Sequence, residues 1–286
     1  MRAIKTTLLL TALTLLALFV GQALGGRNGM TMALIFAIVM NGTAYFFSDK
    51  IALMSSGAVP ISREQAPRLY AVMERLAAKA NLPMPRLYLI PQAAPNAFAT
   101  GRNPSHASVA VTQGLLELLD DEELEGVIAH ELSHVRNYDI LTSSIAATIA
   151  GTITWLAQMG KFAMIFGGWG GGGNEREREG GGITALLMIF LAPLAALLLQ
   201  LGISRQREYQ ADASGAKMVG HPYGLVRALE KLGEYNKRIP MDISPSTSAL
   251  CIVAPRTAGQ FIMSLFSTHP PLQDRIARLQ EMTITR

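Results

Sequence analysis

Four stretches of the chain are almost wholly apolar: Thr6 to Val20, Met30 to Phe47, Ile140 to Met159 and Ile183 to Ile203. A helix across a bilayer needs roughly 20 such residues, so each stretch is read as a membrane span. Only Gly25 to Gly29 separates the first two. Two spans joined by a tight turn form a hairpin, which a removed leader does not. Asn41 and Thr43 weaken the second span only near its end, and Pro193 is tolerated in the fourth as a kink. The loop before the fourth span, Gly167 to Gly182, is Gly-rich with alternating Glu and Arg from Glu175 to Glu179. No Gly-Lys-Ser/Thr follows it, which removes a phosphate cradle and leaves a solvated connector.

The remaining segments have a different pattern. Arg63 to Ala80 has helical spacing, with Leu69, Val72, Met73 and Leu76 on one side and a Ser62–Gln65 capping pair. Arg86 to Ile90, bounded by prolines, predicts a strand, as do Asn96 to Thr100 and Ser108 to Thr112. His106 lies in the turn between the last two and carries no role. Asp120 and Glu123 then form a capping pair ahead of a helix whose stripe is Leu124, Val127, Ile128 and Leu132. Near the end, Leu272, Ile276 and Leu279 mark a last amphipathic helix.

Composition sharpens the picture. Half of the residues are apolar and 16% are charged, low for a soluble chain of this size. The net charge of +4 is modest, and no aromatic-interleaved basic stripe points to nucleic acid. The single cysteine, Cys251, excludes an intrachain disulfide and is read as buried filler. Four spans return the chain to the side it left, so 48–139 and 204–286 share one compartment. Arg2, Lys5, Lys50, Arg136, Arg205 and Arg207 flank the spans there, against Arg27, Lys161, Arg176 and Arg178 opposite. That bias places both segments in the cytoplasm.

The chemistry sits in His130-Glu131-Leu132-Ser133-His134. Positions four apart share a helix face, so His130 and His134 can point ring nitrogens at one ion. Glu131, rotated by about 100°, lies beside that ion as a free carboxylate. A zinc ion held so acidifies a water, and the carboxylate takes its proton. A catalytic zinc also needs a third protein ligand. Glu208 and Asp212 are four apart on a predicted helix. One of them can ligate while the other accepts a hydrogen bond from a ligand histidine. His269, held before Pro270 and Pro271, is extended and placed to donate to a developing oxyanion. His221, before Pro222, is a helix-boundary residue. His134 lies six residues before Ile140, and a continuous helix would put the ion about 9 Å from the third span. A break near Asn137 and Asp139 would turn it away.

These pieces together resemble the HtpX family of membrane zinc metalloproteases, relatives of the CAAX prenyl endoproteases. The matching parts are the paired N-terminal spans, Asn96-Ala97-Phe98-Ala99-Thr100-Gly101, the His130–His134 motif, Glu208-Tyr209-Gln210-Ala211-Asp212 and Ser267-Thr268-His269-Pro270-Pro271. The resemblance implies one zinc on His130, His134 and Glu208, with Glu131 as general base. It implies that Asn96, Ala97, Phe98, Ala99 and Thr100 form an edge strand for the substrate backbone. It further implies a bacterial inner-membrane endopeptidase that removes damaged membrane proteins, acting on polypeptides without nucleotide.

The expected fold is mostly α with a small β-sheet: an integral membrane protein with four transmembrane helices and a zincin-like (gluzincin) metalloprotease domain. Its parts are a hairpin at 1–47, protease segments at 48–139 and 204–286, and a second hairpin at 140–203. A prenyl-protein endoprotease and a non-enzymatic scaffold with a structural zinc are the rival classes. The first would cut only lipidated C-terminal motifs. The second needs a fourth protein ligand, for which Cys251 and His221 are poorly placed.

Overall fold

A computed structural model describes residues 2–146, 148, 205–238, 252 and 270–282. Helix α1, Arg2–Ser55, turns back on itself. Asn41 Nδ2 donates to Thr14 Oγ1 at 2.9 Å across 27 residues, which a straight helix would hold about 40 Å apart. The reversal falls at Gly26, whose φ of +56° is left-handed and open to glycine. The arms meet closely at Gly21, where a Cβ would lie 2.5 Å from the Gly29 carbonyl oxygen. Among the described residues, Gly26–Ser55 is the one helix long and apolar enough to cross a membrane. Its Phe36, Ile38, Val39 and Phe46 side chains are exposed, an apolar face of the kind lipid covers. The third predicted span lies outside the described residues except for 140–146 and 148, and the fourth lies wholly outside them.

Next come β1 (Val59–Pro60), α2 (Pro67–Lys79), β2 (Arg86–Ile90), β3 (Ala97–Gly101) and β4 (Ala107–Thr112). Helix α2 starts four residues later than its apolar spacing predicts. Pro67 lacks an N–H and its ring opposes a helical residue four positions earlier, so it suits a first helical position and no later one. Ser62 N–H does donate to Gln65 Oε1 at 2.9 Å, but this closes a separate turn.

The sheet is mixed, in the order β1-β2-β4-β3. β2 and β4 run parallel, with Leu87 beside Val109. β3 is antiparallel to β4, with Ala99 beside Val109, and forms one edge. Strand side chains alternate between faces. Leu87, Ala97, Ala99, Val109 and Val111 face the main core with α2 and the helix that carries His130. Ile90, Phe98 and Ala110 face the other way, against Ala52 and Leu53 at the end of α1. Both faces are therefore covered, which is why β3 and β4 are buried at every position.

Helix α3 (Gln113–Leu118) leads into α4 (Asp121–Arg136), which is started by the Asp120–Glu123 capping box with both of its bonds made. Helix α4 ends at Arg136. Tyr138 takes a φ of +61°, and a new helix, α5, opens at 139 and runs through 146. Helix α4 thus breaks before the third apolar run, and a rise along one continuous helix does not apply. Helices α6 (Arg205–Val219) and α7 (Tyr223–Arg238) pack on α4, and α8 (Leu272–Gln280) packs against both of them. The described fold is mostly helical with one small mixed sheet.

Candidate metal centre

Helix α4 carries His130, Glu131 and His134 into the interior because its apolar stripe is buried all round: Leu124, Val127, Ile128 and Leu132 are fully covered. Helix α6 crosses α4 with Gly215 at the contact. A Cβ on Gly215 would lie 3.0 Å from the His130 backbone nitrogen. That close approach brings Glu208 and Asp212 to the histidines.

The Nε2 atoms of His130 and His134 are 3.2 Å apart. Glu208 Oε2 is 3.7 Å from His130 Nε2, and Glu208 Oε1 is 3.5 Å from His134 Nε2. Ligand atoms 2.0–2.1 Å from one tetrahedral ion stand about 3.3 Å from each other. The ring separation sits near that value, Glu208 reaches each ring through a different oxygen, and one donor atom from each residue lies within 4.8 Å of the others, so the three can gather around one ion. His130, His134 and Glu208 are also the one group of potential ligands this close among the described residues.

Each ring is turned by a carboxylate on its far nitrogen. His130 Nδ1 is 2.9 Å from Asp212 Oδ1. His134 Nδ1 is 3.4 Å from Asp139 Oδ2. With Nδ1–H donating, both Nε2 lone pairs face the shared point. Asp212 is gripped from the far side by Arg275, which donates through Nε at 2.8 Å and Nη2 at 2.7 Å. The Arg275 guanidinium is 1% exposed and also donates to the Ile252 carbonyl at 2.8 Å. Arg207 Nη1 stands 3.7 Å from Asp139 Oδ1.

The ionisable groups of the site respond to one another. Burial pushes the Asp212 carboxyl up, but the charge and hydrogen bonds of Arg275, together with His130, outweigh it and hold the pKa below the usual range. Burial pushes the Glu131 carboxyl up, the two histidines pull it down, and the net shift is upward. Burial opposes charge on His134, yet the Asp139 hydrogen bond and the Glu208 and Glu131 charges raise its pKa from 6.5 to about 9. Burial likewise opposes charge on Arg275, and Asp212 more than compensates, so its pKa is raised. A dication with Arg275 would match the three buried carboxylates Glu131, Glu208 and Asp212 in charge.

The edge strand lies beside the general-base candidate. Asn96 C=O accepts from Thr112 N–H at 2.9 Å, so alternation along an antiparallel pair turns the Ala97 and Ala99 backbone groups outward. The Ala99 backbone faces the Glu131 carboxyl and pulls its pKa down slightly. Ala97 N–H is taken by the Asn96 side-chain oxygen at 2.9 Å, and that oxygen also accepts from Ile252 N–H at 3.3 Å. Phe98 and Thr100 point to the opposite sheet face, where Thr100 Oγ1 meets Ser144 Oγ at 2.7 Å. His269 lies outside the described residues.

Two contributors escape a reading of motifs. Arg275 shares the stripe of Leu272, Ile276 and Leu279 at helical spacing. A cation on a buried stripe signals a buried partner. Asp139 follows a helix break and reads as punctuation. Only the fold returns it to His134.

A model of peptidase family M48 matches residues 63–283. A curated protease HtpX homolog from Desulfatibacillum aliphaticivorans is 55% identical over 276 residues, covering 96% of this chain and 88% of that one. Another, from Thermodesulfovibrio yellowstonii, is 52% identical over 282 residues and covers 99% of both chains. The crystal structure of S. mikatae Ste24p superposes with a TM-score of 0.53 at 20% identity. That match covers 97% of this chain and 65% of Ste24p, and it bears on fold alone.

Proposed function

The chain belongs to peptidase family M48 and is a membrane metalloprotease of the HtpX kind, and from that premise we propose that its ion is zinc, held by His130, His134 and Glu208, and that its substrates are damaged membrane polypeptides. The convergence of two imidazole nitrogens and one carboxylate at 3.2–3.7 Å supports this ligand set. Two imidazole nitrogens and one carboxylate, with a fourth position left for water, suit zinc in a hydrolase. Bound zinc supplies Lewis acidity toward the scissile carbonyl and an acidified water.

The protein's own groups do the rest. Glu131, buried at the edge-strand backbone with a raised pKa, accepts the water's proton and passes it to the leaving amine. Asp212 fixes the His130 tautomer. The outward carbonyls of Ala97 and Ala99 accept N–H groups of an extended substrate, as an open sheet edge does. His269 donates to the developing oxyanion. The apolar face of Gly26–Ser55, packed through Ala52 and Leu53 behind β3, supports a substrate class that is itself held in the membrane. The cationic flanks of the apolar runs favour a cytoplasmic protease segment in a bacterial inner membrane.

The test separates metal from proton transfer. Replacing His130, His134 or Glu208 by Ala is expected to remove bound metal and proteolysis together. Glu131→Gln is expected to retain metal and lose about two to four orders of magnitude in turnover. Stoichiometric metal in all three alanine variants would overturn the ligand assignment. Full activity in Glu131→Gln would overturn the mechanism.

A further inference from the structure

His130 has an obvious orienting partner. His134, the other ring, meets a residue that no motif supplies. Asp139 is five positions downstream, and on a continuous helix it would lie about 140° around the axis from His134, facing away. The chain instead ends α4 at Arg136 and sends Tyr138 into the left-handed region, at φ +61°. A bulky residue with positive φ is strained and persists only where its surroundings require it. Here the break swings Asp139 back, so that its Oδ2 comes 3.4 Å from His134 Nδ1. Both side chains are mostly buried. The second Asp139 oxygen faces Arg207 Nη1 at 3.7 Å, and Arg207 is adjacent to Glu208 on α6. The helix that Asp139 opens is fixed in turn by Ser144 against Thr100.

We propose that Asp139 is the positioning residue of His134. Its carboxylate accepts the Nδ1–H, which turns Nε2 toward the metal position, and Arg207 seats the carboxylate. The left-handed residue at Tyr138 is the device that makes this contact. The inference rests on the metal reading above, and the test keeps the two apart.

Full-length protein in detergent micelles is titrated with Co2+. The readouts are affinity, by competition with a chelator, and the visible d–d absorption, which reports ligand geometry. Asp139→Ala is expected to weaken binding by about 10-fold or more, as loss of an outer-shell partner does, and to shift the band. Asp139→Asn keeps an acceptor oxygen and is expected to restore the band and part of the affinity. A merely structural Asp139 would lower thermal stability and leave the band of the loaded protein unchanged, which overturns the proposal. Wild-type affinity and band in Asp139→Ala also overturn it. If Asp139→Ala does not fold, Arg207→Gln probes the same arm, and an unchanged affinity and band there is equally fatal. His134→Ala serves as the reference. If it still binds one equivalent of Co2+ with wild-type affinity, the ligand reading has failed and the role of Asp139 falls with it, whereas loss of Co2+ in His134→Ala beside an unchanged Asp139→Ala overturns the role of Asp139 alone.

Discussion

The two histidines sit one helical turn apart yet are held by unlike arms. His130 leans on Asp212 at 2.9 Å, and Asp212 is clamped by two hydrogen bonds from a fully buried arginine. His134 leans on Asp139 at 3.4 Å, and Arg207 reaches that carboxylate only at 3.7 Å. The first arm comes from α6 and α8 and is dry. The second comes from a helix break and the start of an apolar run. The dry arm therefore sets a fixed tautomer, while the looser arm leaves His134 to respond to charge around it.

The largest effect should come from cutting the dry arm at its far end. Arg275→Met leaves Asp212 buried without its cation, which costs roughly 3–5 kcal/mol for a broken buried pair. Metal retention should fall with it. Denaturant unfolding and metal analysis check this. Stability within 1 kcal/mol of the parent, on the order of a surface change, would make the two arms equivalent.

Removing only the orienting charge is the next step down. Asp212→Asn should weaken metal binding by about 10–100-fold, and by more than the matching Asp139→Asn. Equal losses in a chelator competition would erase the asymmetry.

Titration sharpens the contrast further. Without metal, His134 is raised from 6.5 to about 9. Its proton therefore stabilises the metal-free fold fully below about pH 6.5, and that contribution is lost as pH rises through about 9. Metal must expel this proton, because a ligating imidazole is neutral. Apparent affinity should thus rise with pH and level off near pH 9. Calorimetry in two buffers should show about one proton released at pH 7. A pH-independent affinity between 7 and 9 would contradict the raised value.

The smallest effect should fall outside both arms. Ser144→Ala leaves the Thr100 hydroxyl buried without its partner, at a cost of about 1–3 kcal/mol. Metal affinity should stay the same. A changed affinity would mean that the Ser144 tether of α5 is needed to hold Asp139 against His134.

What the sequence makes legible follows from distance along the chain. His130, Glu131 and His134 are neighbours on one helix, and the Asp120–Glu123 box is three residues wide, so both are set by local geometry. Glu208 and Asp212 are readable as a pair for the same reason, though which one faces the ion needs the packing of α6 on α4. Strand edges at Arg86 and Thr112 follow from prolines and turns. The pairing of β2 with β4, skipping β3, does not, since no local signal encodes which strands meet. Arg275 and Asp139 were hidden by context. One sat on an apolar stripe and the other behind a break, and each acquires a meaning only from a residue far away or turned aside. Pro67 was legible and outweighed by apolar spacing, although its missing N–H decides where α2 starts.

The Arg275 clamp has a consequence for how the protein is made. Arg275 follows His130 by 145 positions. A ribosome adding roughly 5–20 residues per second needs on the order of ten seconds or more to cover that interval. Throughout it, the helix bearing the His-Glu-x-x-His motif exists while the guanidinium that steadies Asp212 does not. The Asn41–Thr14 bond of the N-terminal hairpin, by contrast, draws on residues already synthesised. The contact that closes the N-terminal hairpin is thus available long before the contact that completes the metal centre.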